Sequence, residues 1–256
     1  MIRNRLSDAA AFRPHLGSCR RRRVTLAAMC LAVFATAAAA ADHVLLNATF
    51  NSETVGAAPG TGGAAVGEPI SNDSAIIGLA PFPTPNLRIR DTDTFFAQTA
   101  VFGFLNNEEV TTGTVQIRAQ VLFTGTSQPE IGLREQGGSA QTFLDLYSSD
   151  NGPYLGAYTG NTFHNGLGQF TPNVIVPLQV DASADQKLIS VRLNDVALLD
   201  RVSIDITTMR GIGTILIGVS NTGDTSDDVM RVDNLRAVAC ASATFADCLF
   251  VDSFDL

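Results

Sequence analysis

Apolar and polar residues alternate with a period of two through much of this chain. In "KLISVRLNDVALLD", Ile189, Val191 and Leu193 fall on one side of an extended strand and Leu188, Ser190 and Arg192 on the other. Asn194-Asp195 follows, a pair that tolerates positive φ, and Val196 to Leu199 turns apolar again, so a tight hairpin with one buried face is predicted. Comparable runs recur: "HVLLNATF", "NLRIR", "GTVQIRAQVLFT", "PEIGLREQ", "AQTFLDLYSS", "GPYLGAYTG", "NVIVPLQVD", "IGTILIGVS" and "VMRVDNLRAVA". They are rich in Val, Ile, Thr and Phe, and Gly, Pro, Asn or Asp punctuates nearly every gap. Helical periodicity is weak, and only "SIDITTMRG" accommodates a turn or two of helix. Short strands at this spacing over residues 41–239 predict a single all-β domain, a sandwich or closed barrel.

Two stretches narrow the architecture. "VPLQVDASADQKLISVRLNDVALLD" followed by "GTILIGVS…DDVMRVDNLRA" resembles the C-terminal half of concanavalin A-like jelly rolls, which carry a V-x-l-N-G hairpin and a closing strand ending in v-D-N-l. Asp195 stands where that pattern has glycine. Phe50, Gly56 and Pro59 match the usual opening, a strand followed by an F-x-x-x-x-x-G turn near a proline. The resemblance implies an antiparallel β-sandwich of jelly-roll topology. Laminin G-like modules, lectins, glycosidases and polysaccharide lyases share that fold, so it does not select a function.

The chain ends change the charge picture. Residues 1–40 combine a basic stretch ("CRRRR"), the apolar "VTLAAMCLAVFATAAAA" and a small-residue cleavage site within 37–41, the pattern of a secretory signal peptide. The expected product is a secreted, cell-surface or periplasmic protein without a transmembrane anchor in its mature chain. Seven of the 17 basic and one of the 25 acidic residues lie in 1–40, which leaves 10 against 24 and a net charge of −14. Such a field repels polyanions and excludes nucleic acid as a partner. Cys19 and Cys30 leave with the signal, and Cys240 and Cys248 are expected to form a local disulfide worth ~2–3 kcal/mol in loop-closure entropy. The tail 240–256, "CASATFADCLFVDSFDL", resembles a short C-terminal C…C-x-F-x-D-G-F-E segment found on secreted proteins of some Gram-negative bacteria, with Ser253 at the glycine and Asp255 at the glutamate.

Catalytic signatures are incomplete. The E-x-D-x-x-E strand of retaining glycosidases on this fold is absent, and "SIDIT" and "FLDLYSSD" each offer an Asp without a partner at i±2. Carboxylate pairs drawn from separate strands would leave no such string. Alginate-lyase-like jelly rolls are echoed by Arg88, Arg90, Gln116, Arg118, Tyr154 and Tyr158, yet Arg118 stands at their histidine, no Glu lies between the arginines and the lysine is missing. The chain therefore reads as non-catalytic.

Binding candidates are clearer. All three tyrosines lie within "YSSDNGPYLGAY", and Tyr154, Gly156 and Tyr158 share one strand face, with Asn161 and His164 beyond in a predicted loop. Aromatic faces stack on sugar C–H patches while amides and hydroxyls take the OH groups, so these four residues are the expected carbohydrate site, although tryptophan is lacking. Asp224, Asp227, Asp228 and Asp233 form an acidic loop suited to a structural Ca2+, with Asn47 or Glu53 contributing by analogy with jelly rolls that pin their termini through calcium. The sequence thus predicts a carbohydrate-binding or adhesion/envelope module whose partner is a polysaccharide or cell-surface glycan. A divergent lyase or hydrolase and a purely structural surface protein are the competing readings.

Overall fold

The alternation builds two antiparallel sheets whose inner faces share one core. The computed structural model describes residues 43–60, 69–70, 75–92, 98–125, 128–136, 142–148, 153–206, 208, 210–220 and 226–240, with only the backbone considered at 69–70, 98–99, 220 and 226–228. Sheet A runs β13 (Val196–Ser203), β12 (Leu188–Leu193), β11 (Val176–Ser183), β6 (Thr114–Phe123), β15 (Ser226–Cys240), β4 (Asn86–Asp91) and β3 (Ala75–Gly78). The long β15 takes β4 along its first half and β1 (His43–Ala48) along its second, on the side away from β6. Sheet B runs β10 (Thr162–Gln169), β9 (Tyr154–Thr159), β8 (Thr142–Ser148), β7 (Gln128–Arg134), β14 (Thr214–Ser220), β5 (Gln98–Gly103) and β2 (Pro69–Ile70).

Alternate residues of both sheets point into a single apolar cluster. Ile117, Val121, Val180, Val191 and Val232 enter it from sheet A, and Phe102, Ile131, Leu144, Leu155 and Ile215 from sheet B. Phe50 and Phe102 meet edge to face at 6.2 Å, the geometry favoured by the ring quadrupole. The predicted β12–β13 hairpin is present: Leu193 pairs with Val196 across Asn194 (φ 50°) and Asp195 (φ 63°). Two left-handed central residues match the right-handed twist of the flanking strands, and Asp tolerates the conformation that the resembling hairpins give to glycine.

The fold departs from the sequence reading at β5, "QTAVFG", a strand that reading did not include, and at three further places with local causes. β10 occupies "TFHNGLGQ", where Gly166 (φ 66°), Gly168 (φ 148°) and a register shift between His164 and Gly168 obscure the two-residue period. β3 and β2 span four and two residues, too short for periodicity to register. "SIDITTMRG" is extended where described: Asp205 bridges to Gly160, and Ile204 and Ile206 are buried.

The chain divides into two units, Met1–Ala38 and Ala39–Leu256, the first lying outside the described residues, as does the tail 241–256 with Cys248. Cys240 is buried at the end of β15. Among the described residues no helix is long and apolar enough to cross a membrane.

Candidate functional site

The outer face of sheet B carries an aromatic strip beside a pair of carboxyl groups. Leu155 and Ala157 of β9 point into the core, so the pleat turns Tyr154 and Tyr158 outward, where they are 50% and 41% exposed. Tyr158 lies opposite Phe163 of β10, itself 47% exposed, with ring centroids 4.9 Å apart. Tyr147 of β8 completes the strip. Its ring is within 26° of parallel to Tyr158 at 6.0 Å and within 10° of Phe163 at 6.3 Å. Tyr147 pairs with Gly156, where a Cβ would stand 3.0 Å from its hydroxyl oxygen, so only glycine lets this ring lean across the strand.

The same face continues onto β7. Glu130 pairs with Tyr147, and Gly132 pairs with Asp145, which lies opposite Tyr158. Glu130 and Asp145 are therefore diagonal neighbours, a relation that places backbones about 7–8 Å apart and lets side chains meet. Glu130 is buried and its Oε1 lies 3.9 Å from a guanidinium nitrogen of Arg134. Asp145 Oδ1 is buried and finds no hydrogen-bond partner among the described residues. Burial, reinforced by the Glu130 carboxylate and opposed by Arg134, pushes the Asp145 carboxyl up from 3.8 to about 7. The Tyr147 phenol is also raised, chiefly by burial and then by Tyr158 and Asp145. Near neutral pH this face holds a carboxylic acid able to give a proton, next to a second carboxyl group and an aromatic wall.

The four residues expected at the glycan site divide. Tyr154 and Tyr158 share the outer face, whereas Asn161 and His164 belong to a seam that holds the β9–β10 turn. Asn161 donates its side-chain amide and its backbone N–H to the Asp205 carbonyl, at 3.0 and 3.1 Å. His164 lies in a strand rather than a loop and pairs with the inward-facing Ala157. Its Nε2 is 2.8 Å from Thr159 Oγ1, which donates its single proton to the Ser203 carbonyl, so Nε2 is the donor toward the threonine. Tyr147, Phe163, Glu130 and Asp145 joined the site from neighbouring strands. The i, i+2 spacing of Asp145 and Tyr147 in "FLDLYSS" was the available signal, but pairing to Glu130 and Phe163 is a matter of strand order.

The lyase-like residues are not brought together. Arg88 and Arg90 lie on β4, and Gln116 and Arg118 on β6. All four alternate with core residues of sheet A, so the sandwich separates them from Tyr154 and Tyr158. Of the acidic residues, Asp233 is buried, and its two oxygens accept from Thr84 Oγ1 at 2.8 Å and from the Asn234 amide at 2.7 Å. It anchors the loop before β4, and burial raises its carboxyl. Glu53 accepts from the Gly60 amide, at 3.0 Å. Asp224 lies outside the described residues, and of Asp227 and Asp228 only the backbone on β15 is described. Among the described residues no group of three His, Cys, Asp or Glu side chains could hold a metal ion.

No protein-family model and no curated protein matches the sequence. Among solved structures, a protein of unknown function from Shewanella oneidensis MR-1 superposes with a TM-score of 0.53 at 12% identity, over 81% of this chain and 90% of that one. The catalytic domain of the glycoside hydrolase family 131 protein from Coprinopsis cinerea gives 0.51 at 14% identity, over 76% of this chain and 94% of that domain. A sialidase gives 0.50 at 12% identity over 66% of this chain, which spans only 16% of that enzyme's length. At these identities the likeness is one of fold, and it agrees with the strand order: the chain is an antiparallel β-sandwich of jelly-roll topology.

Proposed function

We propose that this protein is a secreted carbohydrate-binding module that holds glycan chains on the outer face of sheet B. The observation that carries the reading is the cluster of Tyr147, Tyr158 and Phe163 rings in mutual contact on the outer face, with Tyr158 and Phe163 exposed and Tyr147 half-buried beside them. Exposed aromatic rings pack against the C–H patches of a sugar, and Tyr154 extends the surface along β9. Similar folds serve in the glycoside hydrolase and sialidase structures above. The test is a glycan array followed by calorimetric titration, with calcium and with chelator. Tyr158→Ala is expected to weaken the best glycan by about 30-fold, the loss of roughly 2 kcal/mol typical of an aromatic anchor, at unchanged thermal stability. Equal affinity in the variant sinks the reading. Loss of binding in chelator would support a calcium ion, with Asp224 and, on β15, Asp227 and Asp228 as its candidate ligands.

A second reading, glycoside hydrolysis, is favoured by the raised carboxyl of Asp145 beside Glu130. In that reaction Asp145 gives its proton to the glycosidic oxygen as the C–O bond breaks, and Glu130 takes the proton of the attacking water. Reducing-sugar release that disappears in both Asp145→Asn and Glu130→Gln is the expected result. Release that survives both substitutions removes the pair from the chemistry.

A further inference from the structure

The cations of this acidic chain are gathered on the sandwich face opposite the aromatic strip. Of the 10 basic residues beyond residue 40, Arg88, Arg90, Arg118, Arg192, Arg231 and Arg236 alternate with core residues on the strands of sheet A and point away from the core. Three of them lie in one cross-strand row. Arg236 of β15 pairs with Arg118 of β6, Arg118 with Gln179 of β11, and Gln179 with Arg192 of β12. Like charges directly abreast in a sheet are unfavourable, so the Arg236–Arg118 pair is an arrangement that packing alone does not select. The row opens into a cavity of about 240 Å3 lined by Arg118, Gln120, Pro177, Gln179, Arg192 and Asp195.

Carboxylates share this face with the arginines, and Asp233 of β15 lies opposite the cavity-lining Gln120 of β6. Asp181 lies near Arg118 and Arg192, but burial raises its carboxyl against their pull, and one of its oxygens accepts from Gln179 Nε2 at 2.7 Å. Asp195 stands at the hairpin turn on the rim. Arg118 and Arg192 line the cavity on either side of Gln179, with the apolar ring of Pro177 beside them. That combination matches a sugar ring bearing an anionic substituent: guanidinium forks pair with carboxylate or sulfate, and the amide takes a hydroxyl. Its size falls below the ~300–1,000 Å3 of sites that enclose drug-sized ligands, which suits a single residue of a longer chain.

We propose that the cavity between Arg118 and Arg192 is a second glycan subsite that binds the carboxylate or sulfate group of an acidic polysaccharide. It is independent of the aromatic strip, so either site can fail alone. The test is titration of the full mature protein with trigalacturonic acid, a heparin-derived tetrasaccharide, maltotriose and sodium sulfate. At least one acidic oligosaccharide is expected to bind, with affinity falling as salt rises, while maltotriose leaves this site silent. Arg192→Gln, at an exposed position, is expected to weaken acidic-sugar binding about ten-fold and Arg118→Gln/Arg192→Gln further, whereas Tyr158→Ala leaves it intact. Binding of the carboxylate sugar alone or of the sulfated sugar alone assigns the anion. The proposal is overturned if neither acidic sugar binds, if Arg192→Gln binds as the parent does, or if sodium sulfate binds as tightly as either sugar. Circular dichroism of the double variant verifies that a loss is not unfolding.

Discussion

Leu193→Asp is expected to lower the unfolding free energy by on the order of 4 kcal/mol. Leu193 is 5% exposed, ends β12 between Leu178 and Val196, and belongs to the cluster shared by both sheets. A carboxylate there loses its hydration and finds no cation on the inner face, so it either carries the desolvation penalty or takes up a proton at a similar cost. Val196→Asp, two positions beyond the turn's first residue and 61% exposed, is the matched control and is expected to change stability by less than ~0.5 kcal/mol. Urea unfolding of the two variants decides the matter. Similar midpoints for both would mean that the alternation in "KLISVRLNDVALLD" does not mark the core.

The second large effect is a loss of stability with rising pH. Asp145 titrates near 3.8 when exposed and near 7 in the fold, so the native state binds its proton more tightly than the unfolded chain does. The contribution is complete below about pH 4 and is lost as pH climbs through 7, amounting to a few kcal/mol across that window. Asp181 and Asp233, also raised by burial, act with the same sign, and so the comparison must be between variants. Scanning calorimetry at pH 5 and pH 8 is expected to show a fall in Tm for the parent that is clearly smaller in Asp145→Asn. Glu130→Gln, which removes the like charge, should move the parent's transition toward lower pH. Parallel Tm profiles for the parent and Asp145→Asn would show that this carboxyl is solvated in solution.

The fold was legible wherever a strand's period was unbroken. Residues 188–199 supplied both strand faces and the turn, because Asn194 and Asp195 announce positive φ by residue type alone. β10 was not legible, since glycines at 166 and 168 remove side chains from the pattern that would reveal it. The site followed the same division. Tyr154 and Tyr158 were placed on one face by their i, i+4 positions on a strand. Asn161 and His164 continue the sequence but not the surface, because the β9–β10 turn reverses the chain and spends their polar atoms on Asp205 and Thr159. Glu130 and Asp145 became neighbours through the pairing of β7 with β8, a relation carried by no local string.

Both sheets are closed by the strands that come last in sequence among the described residues. β14 lies between β5 and β7 in sheet B, and β15 lies between β6 and the β4/β1 pair in sheet A. A nascent chain that ends before Thr214 therefore lacks the middle of each layer and offers open edges in place of a half-built domain. Folding of this domain must wait until β14 and β15 have been made, and the partners β15 joins on β6 are more than a hundred residues away. Such topology predicts slow, all-or-none folding with no stable N-terminal fragment, and a chain that stays extended until its final strands are available.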